Sequence, residues 1–288
     1  MNKVIKMILN VAGVVVLYNP DDSVIENINS YIKHVEKLYA IDNSEIVNHA
    51  FVSLLKNNSK IEYISNNANL GIAKALNIGA YKAMAEGFTW LLTMDQDSKA
   101  TENMLPKLVE FIKRSKTENI GIVSPYHDIE MGPPRGVGEY ELALSVMTSG
   151  NLLNLAAFEK VGSFDESFFI DYVDIEYCLR LNKKGYKVVI LNNVDLVHNL
   201  GNISKINSGF LKFKTSNHNA IRRYYITRNR FYVRDLYINV YTDFIKNDIS
   251  GFYKETIKII LGEKQKLAKL KNIIKGYLDY KNGVTGKK

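Results

Sequence analysis

Phe88-Thr89-Trp90-Leu91-Leu92-Thr93-Met94-Asp95-Gln96-Asp97 decides the fold. The run as far as Met94 is apolar and reads as a buried strand, and two carboxylates stand where it stops. In open α/β sheets, ligands bind at the carboxyl ends of the strands. Residues two apart in an extended segment point the same way, so Asp95 and Asp97 are placed to converge on one hard cation. A divalent ion held by oxygens can bridge a diphosphate. An isolated Asp-x-Asp is more often a turn cap after a strand, so the surrounding sequence has to decide. A second acidic cluster, Asp171-Tyr172-Val173-Asp174-Ile175-Glu176, is suited to supply a base for a group attacking an activated substrate.

Outward from that strand the chain alternates short β-type runs with helix-type segments. Residues 11–17 are apolar and β-branched; residues 22–38 then carry Val24, Ile25, Ile28, Tyr31, Ile32 and Val35 at helical spacing, after an Asn19-Pro20-Asp21-Asp22 turn. Residues 39–41 and 61–64 read as further strands, each stopping in polar turn residues. Residues 69–87 hold many small residues at helical spacing, a helix able to lie close to a sheet, with Gly87 placed to end it. Residues 104–112 read as a helix and 120–124 as a strand. This repeated βα pattern predicts an α/β domain with a mostly parallel, Rossmann-like sheet flanked by helices.

After Pro125 a Gly- and Pro-rich loop over 127–140 leads to a loosely alternating segment at 140–148. Residues 155–161 and 173–184 read as helices, and 186–191 and 195–198 as two short strands. From Asn217 onward only helical periodicity remains, over 222–244 and 252–280, with a break at 247–251. The expected division is a catalytic domain over 1–215 and a basic helical C-terminal region over 216–288.

Composition narrows the functional classes. The 288 residues are 46% hydrophobic, ordinary for a folded protein. A single cysteine, Cys178, excludes an internal disulfide and a Cys-rich zinc site, fits a reducing compartment and reads as core. No run approaches the length of a membrane-spanning helix, and the residues after Leu9 lack the small-residue cleavage site of a secretory signal. The net charge of +8 is uneven. Residues 1–204 hold 19 Lys and Arg against 24 Asp and Glu, and residues 205–288 hold 19 against 6. A mildly acidic body with a basic tail points to an anionic partner for the tail, or to a lysine-rich solvated helical face.

These motifs, in this order, resemble the inverting glycosyltransferases of family 2, which have the GT-A fold. The resemblance runs from about Val11 to His198, with a weaker echo in residues 224–230. It is carried by Val15-Val16-Leu17-Tyr18-Asn19-Pro20, Ile41-Asp42-Asn43-Ser44, Asn69-Leu70-Gly71-Ile72-Ala73 with Asn77 and Gly79, and Asp95-Gln96-Asp97. Ser149-Gly150-Asn151 and Phe164-Asp165-Glu166-Ser167-Phe168-Phe169 add to it. The segment from Phe169 to Arg180 is similar to the branch that transfers rhamnose, which uses dTDP-β-L-rhamnose. Many relatives carry adjacent Glu-Asp there; here Val173 stands in place of the Glu, while Asp174 matches the Asp and Glu176 the following acid.

The resemblance implies roles. Asp97 would hold Mg²⁺ or Mn²⁺, with Asp95 sharing the metal or facing the ribose and His198 completing the coordination sphere. Asp174 would be the base that takes the acceptor's proton, Asp171 would orient the acceptor, and Glu176 would lie on the helix face or beside the acceptor. Asp42 is suited to accept from the pyrimidine N–H, while Asn19, Asn69 and Gln96 would bind base, ribose or phosphate, and Gly71 would let backbone approach the ligand. Arg228 and Arg230 would reach the diphosphate, pair with lipid phosphate, or pair with acids of the body.

The expected activity is metal-dependent transfer of L-rhamnose to a hydroxyl of a cell-surface polysaccharide or its lipid-linked precursor. Alternatives are a family 2 enzyme with a UDP-sugar donor and a non-catalytic nucleotide-sugar-binding module. A nucleotidyltransferase would show a glycine-rich, basic phosphate loop after the first strand, which Tyr18-Asn19-Pro20-Asp21-Asp22 is not. The Arg- and aromatic-rich segment at 222–232 also occurs in single-stranded nucleic-acid binders. With a nucleotide-sugar site upstream, a membrane surface is the expected partner and nucleic acid is not. A cytoplasmic protein, peripheral on the inner face of the cell membrane, is therefore expected, with a helical hairpin that packs internally or makes a homodimer as the alternative.

Overall fold

Val11–Leu17 (β1) is almost wholly buried, and its β-branched side chains face a sheet covered on both sides, so no polar alternation is needed. The computed structural model describes residues 9–127, 134–198, 204–208 and 211–288. Within it β1 pairs in parallel with Lys37–Asp42 (β2) and Trp90–Asp95 (β4), and β2 pairs in parallel with Ile61–Ser65 (β3). Ser23–Tyr31 (α1), His49–Lys56 (α2) and Ile72–Ala85 (α3) return the chain between these strands. The small residues of α3 let it approach the sheet closely: a Cβ on Gly79 would fall inside the Val14 side chain. Gly87, at φ 81°, ends that helix with Phe88 N–H donating back to Ala83 O (3.0 Å).

Beyond β4 the sheet becomes mixed. The elements there are Ser98–Ala100 (β5), Met104–Arg114 (α4), Ile120–His127 (β6), Tyr140–Ala143 (β7), Asn151–Asn154 (β8), Leu155–Val161 (α5), Val173–Lys183 (α6) and Lys187–His198 (β9). Strand β8 inserts antiparallel between β4 and β6, β6 runs parallel to β9, and β5 and β7 flank β9 antiparallel. The expected parallel pairing thus holds for β3-β2-β1-β4 and gives way beyond it. A parallel return needs a crossover, and the described residues between β6 and β8 contain no helix to make one. The two short strands expected at 186–191 and 195–198 are one strand, β9, whose register jumps where Pro125 faces Leu191 but Tyr126 faces Asp195.

A hairpin of Ser204–Ser208 (β10) and Leu211–Thr215 (β11), which periodicity did not reveal, leads into Ala220–Tyr237 (α7), Thr242–Gly262 (α8) and Lys266–Lys281 (α9). The break expected at 247–251 is absent; α8 passes through it, and the chain turns instead at 238–241 and 263–265. A lone Gly251 with open space around it is tolerated inside a helix at a cost of roughly 1 kcal/mol. Two apolar clusters cover the two faces of the sheet; one of them takes in Cys178 and reaches Val233, Tyr237 and Ile245, which ties α7 and α8 to the body.

Candidate active site

The ends of β1 and β4, loop 69–72, loop 169–172 with the first turn of α6, and residues 216–230 enclose a cleft of about 980 Å³. It lies at the carboxyl ends of the parallel strands, where an open sheet offers its backbone and side chains to a ligand.

Asp95 ends β4, and its N–H donates to Ser149 Oγ (3.1 Å). Burial raises its pKa to about 7, helped by the charges of Asp97 and Asp174 and opposed by Arg222. Asp97 is exposed on the cleft wall. Neither carboxylate has a hydrogen-bond or ion-pair partner among the described residues. Gln96 also lines the cleft, but its amide is occupied: Oε1 accepts from Tyr18 N–H (2.8 Å) and Nε2 donates to Tyr18 O (3.2 Å), clasping the ends of β1 and β4.

On the wall where the nucleotide is expected, Asn69 Oδ1 accepts from Gly71 N–H (3.1 Å), and Asn43 Nδ2 donates to Gly71 O (3.0 Å). All three residues line the cleft. Gly71 has φ 87°, and a Cβ there would strike Phe169 O, so the position requires glycine. The structure does not bring Asp42 or Asn19 to the cleft wall. Asp42 is buried, accepting from Tyr63 O–H (2.7 Å) and Ser44 N–H (2.8 Å), and Asn19 is exposed with its N–H on Ser44 Oγ (2.7 Å).

Across from Asp95, Asp171 accepts from Arg222 Nε (3.0 Å), and burial raises its pKa against the pull of that arginine. Asp174 sits in the first turn of α6. Burial raises its pKa to about 6; the Ile175 N–H, donating at 2.9 Å, holds it down and the Asp171 charge pushes it up. Neither acid caps the helix. Tyr172 is the N-cap residue, and no side chain accepts there.

Glu176 is not at the cleft. It is buried beneath α6, accepting from Arg180 Nε (2.9 Å) and Nη2 (2.8 Å) and from Tyr237 O–H (2.8 Å). Three acceptor bonds from Arg180 and Tyr237 offset the cost of burying its charge. Arg228 is also away from the cleft, fully buried with Nη1 donating to Gly286 O (2.8 Å). Arg230 lines the cleft but is paired with Asp248 (3.1 Å) and Glu255 (3.3 Å), and its Nε also donates to Tyr172 Oη. The acids that pair with Arg230 lie on α8 of the C-terminal region rather than on the body, and Arg228 meets backbone carbonyls of both. His198 is placed by its backbone, opposite Ser98 in the β5–β9 pair and so next in register to Asp97; its side chain lies outside the described residues.

Sequence reading missed Asn43, Arg222, Arg223, Asp248 and Glu255, all on the cleft wall. Asn43 was legible as the neighbour of Asp42 in a strand-end turn. The others join residues far apart in sequence: Arg222 with Asp171, and Arg223 with Glu255 (3.0 Å) and Glu263 (3.1 Å). Periodicity carries no signal of such pairs.

Among the described residues no three His, Cys, Asp or Glu side chains are grouped to hold an ion unaided. Asp95 and Asp97 nonetheless fit a hard divalent cation: both are oxygen donors whose carboxylates have no hydrogen-bond or ion-pair partner among the described residues, and Asp95 carries excess negative field from its neighbours. Diphosphate oxygens and water would supply the rest of such a shell.

A family model described as Glycosyl transferase family 2 matches residues 14–164. The dTDP-rhamnosyl transferase RfbF of Shigella flexneri is 30% identical over 295 residues, covering 96% of this chain and 97% of that protein. Among solved structures, GalNAc-T7 with UDP, GalNAc and Mn²⁺ superposes with a TM-score of 0.61 at 16% identity, over 82% of this chain. The chain spans 50% of the GalNAc-T7 chain's length. S. aureus TarS 1–349 in complex with UDP-GlcNAc gives 0.57 at 11% identity, over 95% of this chain and 73% of that one. At these identities the two structures speak to the fold, which is GT-A.

Proposed function

The chain belongs to glycosyltransferase family 2, and from that premise we propose that it moves L-rhamnose from dTDP-β-L-rhamnose, with inversion, onto a hydroxyl of a cell-surface polysaccharide or its lipid-linked precursor. The donor is proposed from RfbF, whose name specifies dTDP-rhamnose and whose length this chain covers almost entirely. One observation carries the reading: Asp174 of α6, remote in sequence, shares one cleft with Asp95 and Asp97, and burial together with the charges of Asp97 and Asp174 raises the proton affinity of Asp95.

Asp174 is the base in this mechanism. With a pKa near 6 it is mostly ionised at neutral pH, yet basic enough to take the acceptor's proton as the sugar–oxygen bond forms. Asp171, held by Arg222, orients the acceptor hydroxyl. Asn43, Asn69 and Gly71 bring backbone and amide groups to the nucleotide. Asp97 and Asp95, with His198 as a further ligand, would hold Mg²⁺ or Mn²⁺. That cation, when bound, neutralises charge developing on the departing diphosphate. Residues 1–215 are the catalytic domain in this reading, although residues 216–230 also supply part of the cleft wall.

Peripheral attachment to the inner face of the cell membrane belongs to the same proposal. No helix among the described residues is long and apolar enough to cross a bilayer. The arginines Arg223, Arg228 and Arg230 are buried, which leaves neither lipid nor nucleic acid access to them. The lipid-facing charge would come instead from α8 and α9, where lysines flank exposed apolar residues.

The donor is tested by thermal shift with a panel of nucleotide sugars, each with and without Mn²⁺. The largest cation-dependent rise is expected with dTDP-β-L-rhamnose. A larger rise with a UDP-sugar would assign the other donor, and none with any of them would count against a nucleotide-sugar site altogether.

A further inference from the structure

Loop 168–172, which carries Asp171 and delivers Asp174, has a conformation its own sequence does not favour. Phe169 (φ 61°), Asp171 (φ 60°) and Tyr172 (φ 67°) all have left-handed backbones, and none is glycine. Phe169, at ψ −63° with Ile170 N–H on Phe168 O (2.7 Å), centres the rarer, strained form of γ-turn. Such a segment persists only where its surroundings hold it.

The holding group is on α7. Asn229 is fully buried, and its Nδ2 donates to Phe168 O (2.8 Å), Ile170 O (2.8 Å) and Asp171 O (2.9 Å). Its Oδ1 accepts from Arg228 Nε (3.0 Å), which fixes the amide with its nitrogen toward the loop. Of the two other carbonyls of the run, Phe169 O accepts from Ile72 N–H (2.8 Å) beside Gly71, and Tyr172 O from Glu176 N–H (2.9 Å). Arg230 reaches the same loop through Tyr172 Oη.

We infer that Asn229 is a positioning residue of the transferase: its amide gathers three carbonyls of loop 168–172 and so aims Asp171 and Asp174 into the cleft. It touches no substrate; it acts through the acids. This inference rests on Asp174 being the base. Among the described residues, the side-chain hydrogen bonds of Asn229 involve none of Asp95, Asp97, Asn43 and Asn69, so its loss should spare nucleotide binding.

The test is a cycle of Asn229→Ala, Asp174→Asn and the double variant, read as dTDP released from dTDP-β-L-rhamnose with water as acceptor, with dTDP affinity measured by calorimetry. Asn229→Ala is expected to lower kcat by about 10²-fold, the scale of a 1 Å misplacement, with dTDP affinity kept. In the Asp174→Asn background it should lower kcat no further. Asn229→Asp, of the same shape but lacking the amide donors, repeats the measurement should the alanine variant not fold. Wild-type turnover in a folded Asn229 variant, an equal loss of dTDP affinity, or effects that multiply in the double variant would each overturn the inference. Full activity in Asp174→Asn alone would instead remove the base assignment on which it rests.

Discussion

Asp95 keeps its carboxylate half-buried with no ion pair among the described residues, and burial, helped by the charges of Asp97 and Asp174 and opposed by Arg222, raises its pKa to about 7. A carboxyl whose folded pKa lies above its unfolded value stabilises the fold fully below the unfolded pKa, near 3.9, and loses that contribution as pH rises through the folded one. Cation-free protein should therefore lose stability between about pH 4 and pH 7, and the site is one where binding has taken precedence over stability. Asp95→Asn, which removes the charge, should raise Tm at pH 8 and change it little at pH 4, as followed by circular dichroism. A lower Tm at pH 8 would mean that the carboxylate already has a partner. Because the side chain still meets water in the cleft, the gain should fall well short of that for a sealed carboxyl. The acids were legible as residues because they follow a seven-residue apolar run. The influence of Asp174 on Asp95 was not, since the two meet only through the fold.

Helix α7 shows how an element can carry a misleading pattern. Arg222, Arg223, Arg228, Arg230 and Arg234 look like a solvated or lipid-facing stripe, yet Arg223, Arg228 and Arg230 are buried and matched by Glu255, Glu263, Asp248 and loop carbonyls. The matching acids lie on or beside α8, so no local window contains both halves of a pair. Helix α3 was the opposite case: its Ala and Gly residues announced close packing, and Gly79 against Val14 is that packing. On α8 the pattern that remains outside is Tyr253, Ile257, Ile260 and Leu261, exposed at i, i+4, i+7 and i+8 beside Lys254 and Lys258. Replacing Ile257 and Ile260 by Asp should reduce sedimentation with anionic vesicles and leave Tm within a degree or two. Unchanged sedimentation would take the membrane surface away from this helix.

At the scale of the molecule, the parallel half β3-β2-β1-β4 and its strand-end motifs could be read from periodicity, and the α/β class with them. The mixed half could not. Strand β8 is four residues long, β9 hides a register jump inside one strand, and the antiparallel insertion depends on a connection without a helix. The division expected near residue 215 is crossed by the cleft itself, because Arg222 meets Asp171 and Asn229 holds the loop that bears it. In the proposed reading the donor side lies on the sheet and the acceptor side on a loop that the C-terminal helices hold in place. Its central claim is that Asp174 removes the acceptor's proton. Turnover of dTDP-β-L-rhamnose by Asp174→Asn, measured with dTDP affinity on the same folded sample, tests this most directly. The account predicts a kcat lower by about 10²-fold or more with dTDP binding retained, and turnover at the wild-type rate would contradict it.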